Sequence, residues 1–167
     1  MLHQARTIAD ATLANLARDG IEDNALFPAL VATPAGLRTL PAAQHALLLA
    51  NSISPLPLHK ALVLLDEIDA HADAPWHAHM RLALAKTLVF SVSNLTFGPE
   101  VGVGRPKLDV PVIAPWLAEM RAIADDLRQA HAQRAVPAQV HHADARQMHE
   151  HLSPGSIDAV FTSPPYP

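Results

Sequence analysis

Small apolar side chains dominate this sequence. Alanine supplies 31 of the 167 residues, half of the chain is hydrophobic, and only 4% is aromatic. Alanine is the best helix former, whereas the β-branched and aromatic side chains that stabilise sheets are scarce here. The composition therefore predicts closely packed helices, broken by prolines that number 15 and are spread along the chain.

Charge and cysteine content exclude several classes of function. The net charge is −4, so a strongly basic nucleic-acid clamp is excluded. The sequence contains no cysteine, which excludes a disulfide scaffold, a thiolate zinc site and a cysteine nucleophile.

No apolar run approaches the roughly 18 residues that a membrane span needs. Residues 1–10 lack a basic head followed by an apolar stretch, so we expect no secretory signal and a cytoplasmic protein.

Apolar residues recur at spacings of three and four in several segments, as they do on one face of a helix. Gly20 is a natural stop for the first of these segments, and residues 52–57 are predicted to be a loop because they hold two prolines and two serines. Trp76 and Trp116 lie on apolar helix faces and are predicted core residues. The predicted helices cover residues 2–19, 58–68, about 75–88 and 109 to about 133.

Residues 42–50 carry a different pattern, because they are apolar almost all round. A helix of that composition is usually buried on most sides. Residues 89–97 are richer in β-branched side chains and run into an irregular, glycine-containing segment at 98–106. The glycines between residues 98 and 104 allow close approach to a cofactor, but no second strand with an acidic end follows them. We therefore interpret this segment as an ordered structural loop.

The pattern changes after Pro137. Residues 140–142 are predicted to form a short strand, 145–152 a short helix, and 157–162 an apolar strand. A strand, a helix and a strand within 30 residues is a βαβ-type pattern, long enough for a parallel crossover. The fold prediction is therefore mainly α. A helical region over residues 1–135 precedes the first βαβ elements of an α/β domain over residues 136–167.

The predicted strand at 157–162 leads directly into the sequence Ser163-Pro164-Pro165-Tyr166. Two consecutive prolines hold their own φ angles near −65°, so the loop keeps its carbonyls and the preceding side chain in one geometry. Such a loop suits the gripping of an exocyclic amino group on a base rotated out of its duplex. The Ser163 hydroxyl and the Pro164 carbonyl would accept hydrogen bonds from the amine, and the Tyr166 ring would stack on the base.

These residues resemble the fourth motif of amino-methylating DNA methyltransferases, in which an acidic, amide or serine residue precedes Pro-Pro and an aromatic. The form Ser163-Pro164-Pro165-Tyr166 is more similar to the N4-cytosine members than to the N6-adenine members. The resemblance covers residues 139–167 and includes 143–145 and 153–156. It implies a Rossmann-like catalytic domain, S-adenosylmethionine as cofactor and DNA as substrate, as in restriction-modification systems.

Asp144 has two interpretations. The resemblance implies that its carboxylate meets the adenine or ribose end of S-adenosylmethionine, whereas its position before residue 145 predicts a helix cap. Both roles are compatible.

The resemblance is incomplete, because the family also has a glycine-rich Phe-x-Gly-x-Gly cofactor loop that these 167 residues do not contain after Tyr166. We therefore expect an N-terminal fragment, inactive alone, whose missing catalytic half lies in a longer chain or in a second polypeptide. Two alternatives stay open. One is a helical interaction or regulatory module that keeps a vestigial motif without activity, and the other is methylation of an amino group in RNA or protein.

Eleven histidines raise the question of a metal site. They cluster at residues 71–79 and 141–151, but neither cluster has a third ligand at a recognisable zinc spacing. We interpret them as solvated or helix-capping residues and predict no metal.

Overall fold

The first helix has the spacing that the sequence predicts. In the computed structural model, which describes residues 1–24 and 36–163, helix α1 spans Leu2–Arg18. Gly20 follows with a φ of +71°, a left-handed conformation that ends a helix at little cost only when no Cβ is present. The buried stripe of α1 consists of Ala5, Ile8, Ala9, Thr12 and Leu16.

The next two long helices also match their predicted cores, with one shifted boundary. Helix α3 spans Pro55–Asp69, so it begins three residues before the predicted start at Leu58. The predicted loop is wrong there because proline is well tolerated in the first turn of a helix, where its missing N–H has no partner to lose. Helix α4 spans His77–Thr87, within the predicted range, and buries Met80, Ala83, Leu84 and Thr87 on one face.

The helix predicted from residue 109 to about 133 is α5, which spans Ile113–Gln129, so its predicted start is four residues too early and its predicted end about four too late. Trp116 on this helix is fully buried, and its indole N–H donates to the carbonyl of Met80 over 3.0 Å. The core role predicted for Trp116 is thus confirmed, while Trp76 is half-buried and packs against the same core.

The helices α1 and α4 each pack against both α3 and α5. This closed arrangement of four helices buries one continuous apolar cluster, which confirms that the chain is mainly α. None of the helices in the described ranges is both long and apolar enough to cross a bilayer.

The prediction of a buried helix at residues 42–50 is wrong. Only a single turn forms there, α2 at Ala42–His45, and all residues from 41 to 50 are exposed. An apolar helix is buried only when other elements surround it, and the apolar faces of α1, α3, α4 and α5 are already packed against one another. The segment therefore lies on the surface of the four-helix unit.

The end of α4 continues into a π-helical turn, Leu88–Val92, before the chain forms a short hairpin. Strands β1 (Leu95–Phe97) and β2 (Val101–Val103) pair antiparallel, with Leu95 opposite Val103 and Phe97 opposite Val101. The loop predicted at residues 98–104 is thus ordered, as expected, but it contains a strand that the sequence did not indicate.

The described residues separate into two units, the first being Met1–His131 and the second beginning at Ala132. Within residues 132–163 the regular elements are the end of a 3-10 turn at Ala130–Gln133 and a second one at Ala145–Glu150. The strands predicted at 140–142 and 157–162 do not form in this structure, and the predicted helix is reduced to 3-10 geometry. A strand is stable only when it pairs with neighbours, and this part of the chain offers none.

Candidate functional site

The predicted amine-binding loop begins at the last residue that the structure describes. Ser163 is exposed to solvent. Pro164, Pro165 and Tyr166 lie outside the described residues, so the geometry predicted for their carbonyls and ring stays a prediction.

Asp144 caps the 3-10 turn that follows it. Its Oδ1 accepts a hydrogen bond from the backbone N–H of Arg146 over 2.9 Å. The Arg146 guanidinium also donates to both carboxylate oxygens. Hydrogen bonds from the Arg146 side chain, and then from its backbone, lower the pKa of Asp144 below its ordinary value. The predicted capping role is confirmed, and the predicted cofactor contact stays a prediction.

Several apolar side chains of the second unit that lie near Asp144 or Ser163 in the sequence are exposed to solvent. Val140 is 98% exposed, Val160 79% and Phe161 fully exposed. The rings of His141 and His151 stack with their centroids 5.0 Å apart. Large apolar side chains of this kind are normally buried, so the exposed set marks a surface suited to packing against other residues.

The glycines of the hairpin are explained by packing. A Cβ added at Gly104 would lie 2.8 Å from the Thr96 methyl, and one added at Gly102 would lie 3.1 Å from the Thr96 hydroxyl. Both glycines therefore make room for Thr96, which supports the structural interpretation of this segment over a cofactor cradle.

Two histidines of the cluster at residues 71–79 bond to neighbouring groups, whereas the buried Nδ1 of His79 has no hydrogen-bond partner among the described residues. The His71 ring donates to the carbonyl of Glu67 over 2.9 Å, near the end of α3, and the His77 ring lies 2.9 Å from a carboxylate oxygen of Asp69. Across the described ranges, no group of three or more histidines and carboxylates is arranged to hold a metal ion.

A buried lysine, which sequence reasoning missed, connects separate segments of the first unit through its hydrogen bonds. The ammonium of Lys60 on α3 is inaccessible to solvent and lies 2.5 Å from the Asp109 carboxylate. It also donates to the carbonyl of Asp23 over 3.0 Å and to that of Val110 over 3.4 Å. A buried ammonium is stable only when such acceptors surround it.

The carboxylate of Asp23 caps α5 from a distance of about 90 residues in the sequence. The backbone N–H groups of Val112 and Ile113 donate to it over 2.8 Å and 3.0 Å. Burial raises the pKa of Asp23, while these two hydrogen bonds and the charge of Lys60 oppose that shift. Asp109, where the sequence predicts this helix to begin, lies four residues before it and pairs with Lys60.

An apolar cavity of about 260 Å³ opens between α3, α4, the π-helical turn and the exposed segment around residue 48. The polar side chains that line it are two serines, and one of them, Ser93, donates to the carbonyl of Val89 over 2.8 Å. A cavity lined in this way favours an apolar occupant, because a polar group inside it would lose its hydrogen bonds to water. No single sequence motif indicates it, because its walls come from four separate segments.

Comparison with protein-family models, curated proteins and solved structures found no match for this chain.

Proposed function

We propose that this chain belongs to an S-adenosylmethionine-dependent DNA methyltransferase that acts on the exocyclic amine of cytosine in a flipped base. The observation that carries the proposal is the order of residues 157–166, in which an apolar segment leads into Ser163-Pro164-Pro165-Tyr166. The residues at 143–145 and 153–156 that precede it add to the resemblance.

The chemistry assigned to this loop is the positioning of an amine. The Ser163 hydroxyl and the Pro164 carbonyl accept hydrogen bonds from the amino group, and the Tyr166 ring holds the base by stacking. Ser163 is exposed, as a side chain that receives a substrate must be. The exposed side chains of Ile157, Val160 and Phe161 support the same proposal, because a catalytic sheet would cover them.

S-adenosylmethionine supplies the methyl group in this proposal, but the described residues do not make its binding site alone. The carboxylate of Asp144 is hydrogen-bonded to Arg146, and the Thr96 side chain occupies the space beside Gly102 and Gly104. The proposal therefore requires a cofactor loop from residues outside the 167, in the same or a second polypeptide. The 167 residues alone are expected to bind the cofactor weakly or not at all, which titration calorimetry would measure.

The test is methyl transfer by the protein expressed from the intact gene, with any second polypeptide present. Unmethylated DNA is incubated with S-adenosylmethionine, and the nucleosides are analysed by mass spectrometry for N4-methylcytosine and N6-methyladenine. Appearance of N4-methylcytosine is expected, and methylated adenine alone would correct the choice of base.

Variants of the loop connect that activity to these residues. Ser163→Ala should slow methyl transfer roughly 10²-fold or more, as the loss of one positioned polar group does at other active sites. Tyr166→Ala should be severe and Tyr166→Phe mild, because phenylalanine keeps the stacking ring. Cofactor binding should change little in all three variants. A normal rate for Ser163→Ala would show that the loop only terminates the chain segment before it.

A second candidate is a helical interaction module without methyltransferase activity. The observation that favours it is the first unit, which has its own core and leaves a leucine-rich surface open at Leu47, Leu48 and Leu49. Complete absence of methylated bases in the assay above, together with partner binding through this surface, would favour this candidate.

A further inference from the structure

One face of the first unit carries a continuous apolar patch around the cavity. Leu48 and Val89 line the cavity wall, and the ring of Phe90 lies 5.3 Å from that of Phe97 on β1. The three consecutive leucines extend the patch beyond the cavity mouth, where Leu47 is 85% exposed. We define the apolar patch as Leu47, Leu48, Leu49, Val89, Phe90 and Phe97.

The patch is about as large as the largest apolar surface that a folded monomer usually leaves open. From their fractional exposures, the six side chains present on the order of 600 Å² of apolar surface, at the upper end of the roughly 300–600 Å² found for the largest patch on a typical monomer. A standard interface takes about 800 Å² from each partner. The patch would therefore supply most of one side of a stable interface.

Two features of the patch favour a second copy of the same surface as its partner. It holds both a depression, the cavity of about 260 Å³, and projecting side chains, of which Leu47 is the most exposed. A two-fold axis places the same patch on both partners, so the leucines of each copy can meet the depression of the other. A surface that contains both the projection and its receptor is self-complementary.

The edge of the patch is polar. Arg38 lies in a second depression together with Leu48 and Leu49, and its guanidinium pairs with the Asp66 carboxylate. An apolar centre with a charged rim is the usual organisation of an interface between proteins.

We propose that this protein forms a two-fold symmetric homodimer through the apolar patch of its first unit. Sedimentation equilibrium of the 167-residue chain should show twice the monomer mass of 17.9 kDa at high concentration and dissociation on dilution. A monomer at every concentration would overturn the proposal.

Two charged variants distinguish an effect on this surface from a general effect of introducing a charge. Leu47→Glu places a charge at the most exposed point of the patch and should raise the dissociation constant about tenfold or more, because charges are costly in the desolvated centre of an interface. Leu13→Glu on α1 is the matched control, since Leu13 is 40% exposed and lies outside the patch. It should leave the dissociation constant unchanged. Circular dichroism would show that both variants keep their helices, and a dimer unaffected by Leu47→Glu would overturn the assignment of the surface.

The absence of cysteine from the sequence permits a second, direct test. Single cysteines are introduced at Leu47, Leu49 and Phe90, with Leu13→Cys as control, and the rate of disulfide-linked dimer formation is compared. Because a two-fold axis passes through the patch, at least one of the three should cross-link much faster than the control. Equal rates at all four positions would show that the copies do not meet here.

Discussion

Replacement of Lys60 tests whether the buried ion pair organises the first unit. In Lys60→Met the side chain keeps its length and loses its charge, so the Asp109 carboxylate remains 8% exposed with no cation beside it. Two backbone carbonyls, of Asp23 and Val110, lose the same donor. Removal of one partner from a buried pair costs about 3–5 kcal/mol. The free energy of unfolding should fall by about that amount, and Tm by about 10 °C or more.

Two further variants show whether the loss of stability in Lys60→Met comes from the buried charge. Lys86→Met breaks the partly exposed pair between Lys86 and Glu119 and should cost no more than about 1 kcal/mol. The double variant Lys60→Met/Asp109→Leu removes both buried charges and should recover at least half of the loss, because an apolar pair often replaces a buried ion pair with little penalty. The unpaired carbonyls keep the recovery incomplete.

Urea denaturation followed by circular dichroism measures all three variants against the unchanged chain. A Lys60→Met variant no less stable than Lys86→Met would refute the reasoning. It would show that the ammonium is not desolvated in the folded chain, or that water replaces it without cost.

Two further predictions concern a buried histidine and a hairpin glycine. The ring of His59 accepts a hydrogen bond from the backbone N–H of residue 38, and burial lowers the pKa of this histidine below the ordinary 6.5. The unfolded chain therefore binds the proton more readily than the folded chain does. As a result, the contribution of His59 to the free energy of unfolding is fully present above pH 6.5 and declines as pH falls below that value. His59→Gln should flatten that decline in pH-dependent urea titrations, whereas an unchanged slope would contradict the assignment. Gly104→Ala should lower the free energy of unfolding by about 1–3 kcal/mol, because its Cβ would meet Thr96 at 2.8 Å. Gly98→Ala, whose nearest contact would be 3.9 Å, is the control, and thermal melts showing equal losses would exclude steric crowding as the cause.

The four long helices could be predicted because their signal is local. Apolar spacing in α1 and α5 identifies the buried face from residues that are near one another in the sequence, and Gly20 marks an end by its own conformation. Helix starts were less accurate, since the cap of α5 is the distant Asp23 and nothing near residue 113 indicates it.

Elements that depend on distant partners were missed or wrong. The composition at residues 42–50 indicates an apolar segment, but burial requires neighbours that the fold does not place around it. The strands predicted at 140–142 and 157–162 fail for the same reason, because a strand needs a paired strand. Of the candidate site, the motif at Ser163 could be identified from the sequence, whereas the cavity could not, since four segments build it.

The contacts of Lys60 also have a consequence for synthesis on the ribosome. The lysine and its carboxylate partner are 49 residues apart, and at about 5–20 residues per second the ribosome needs roughly 2–10 s to add that stretch. Throughout that interval α1 and α3 can form, but the Asp109 carboxylate that pairs with the Lys60 ammonium in the folded chain is not yet present. The nascent chain therefore exposes the apolar faces of its first helices until α5 arrives, so chaperone binding should be strongest on ribosomes stalled before residue 109.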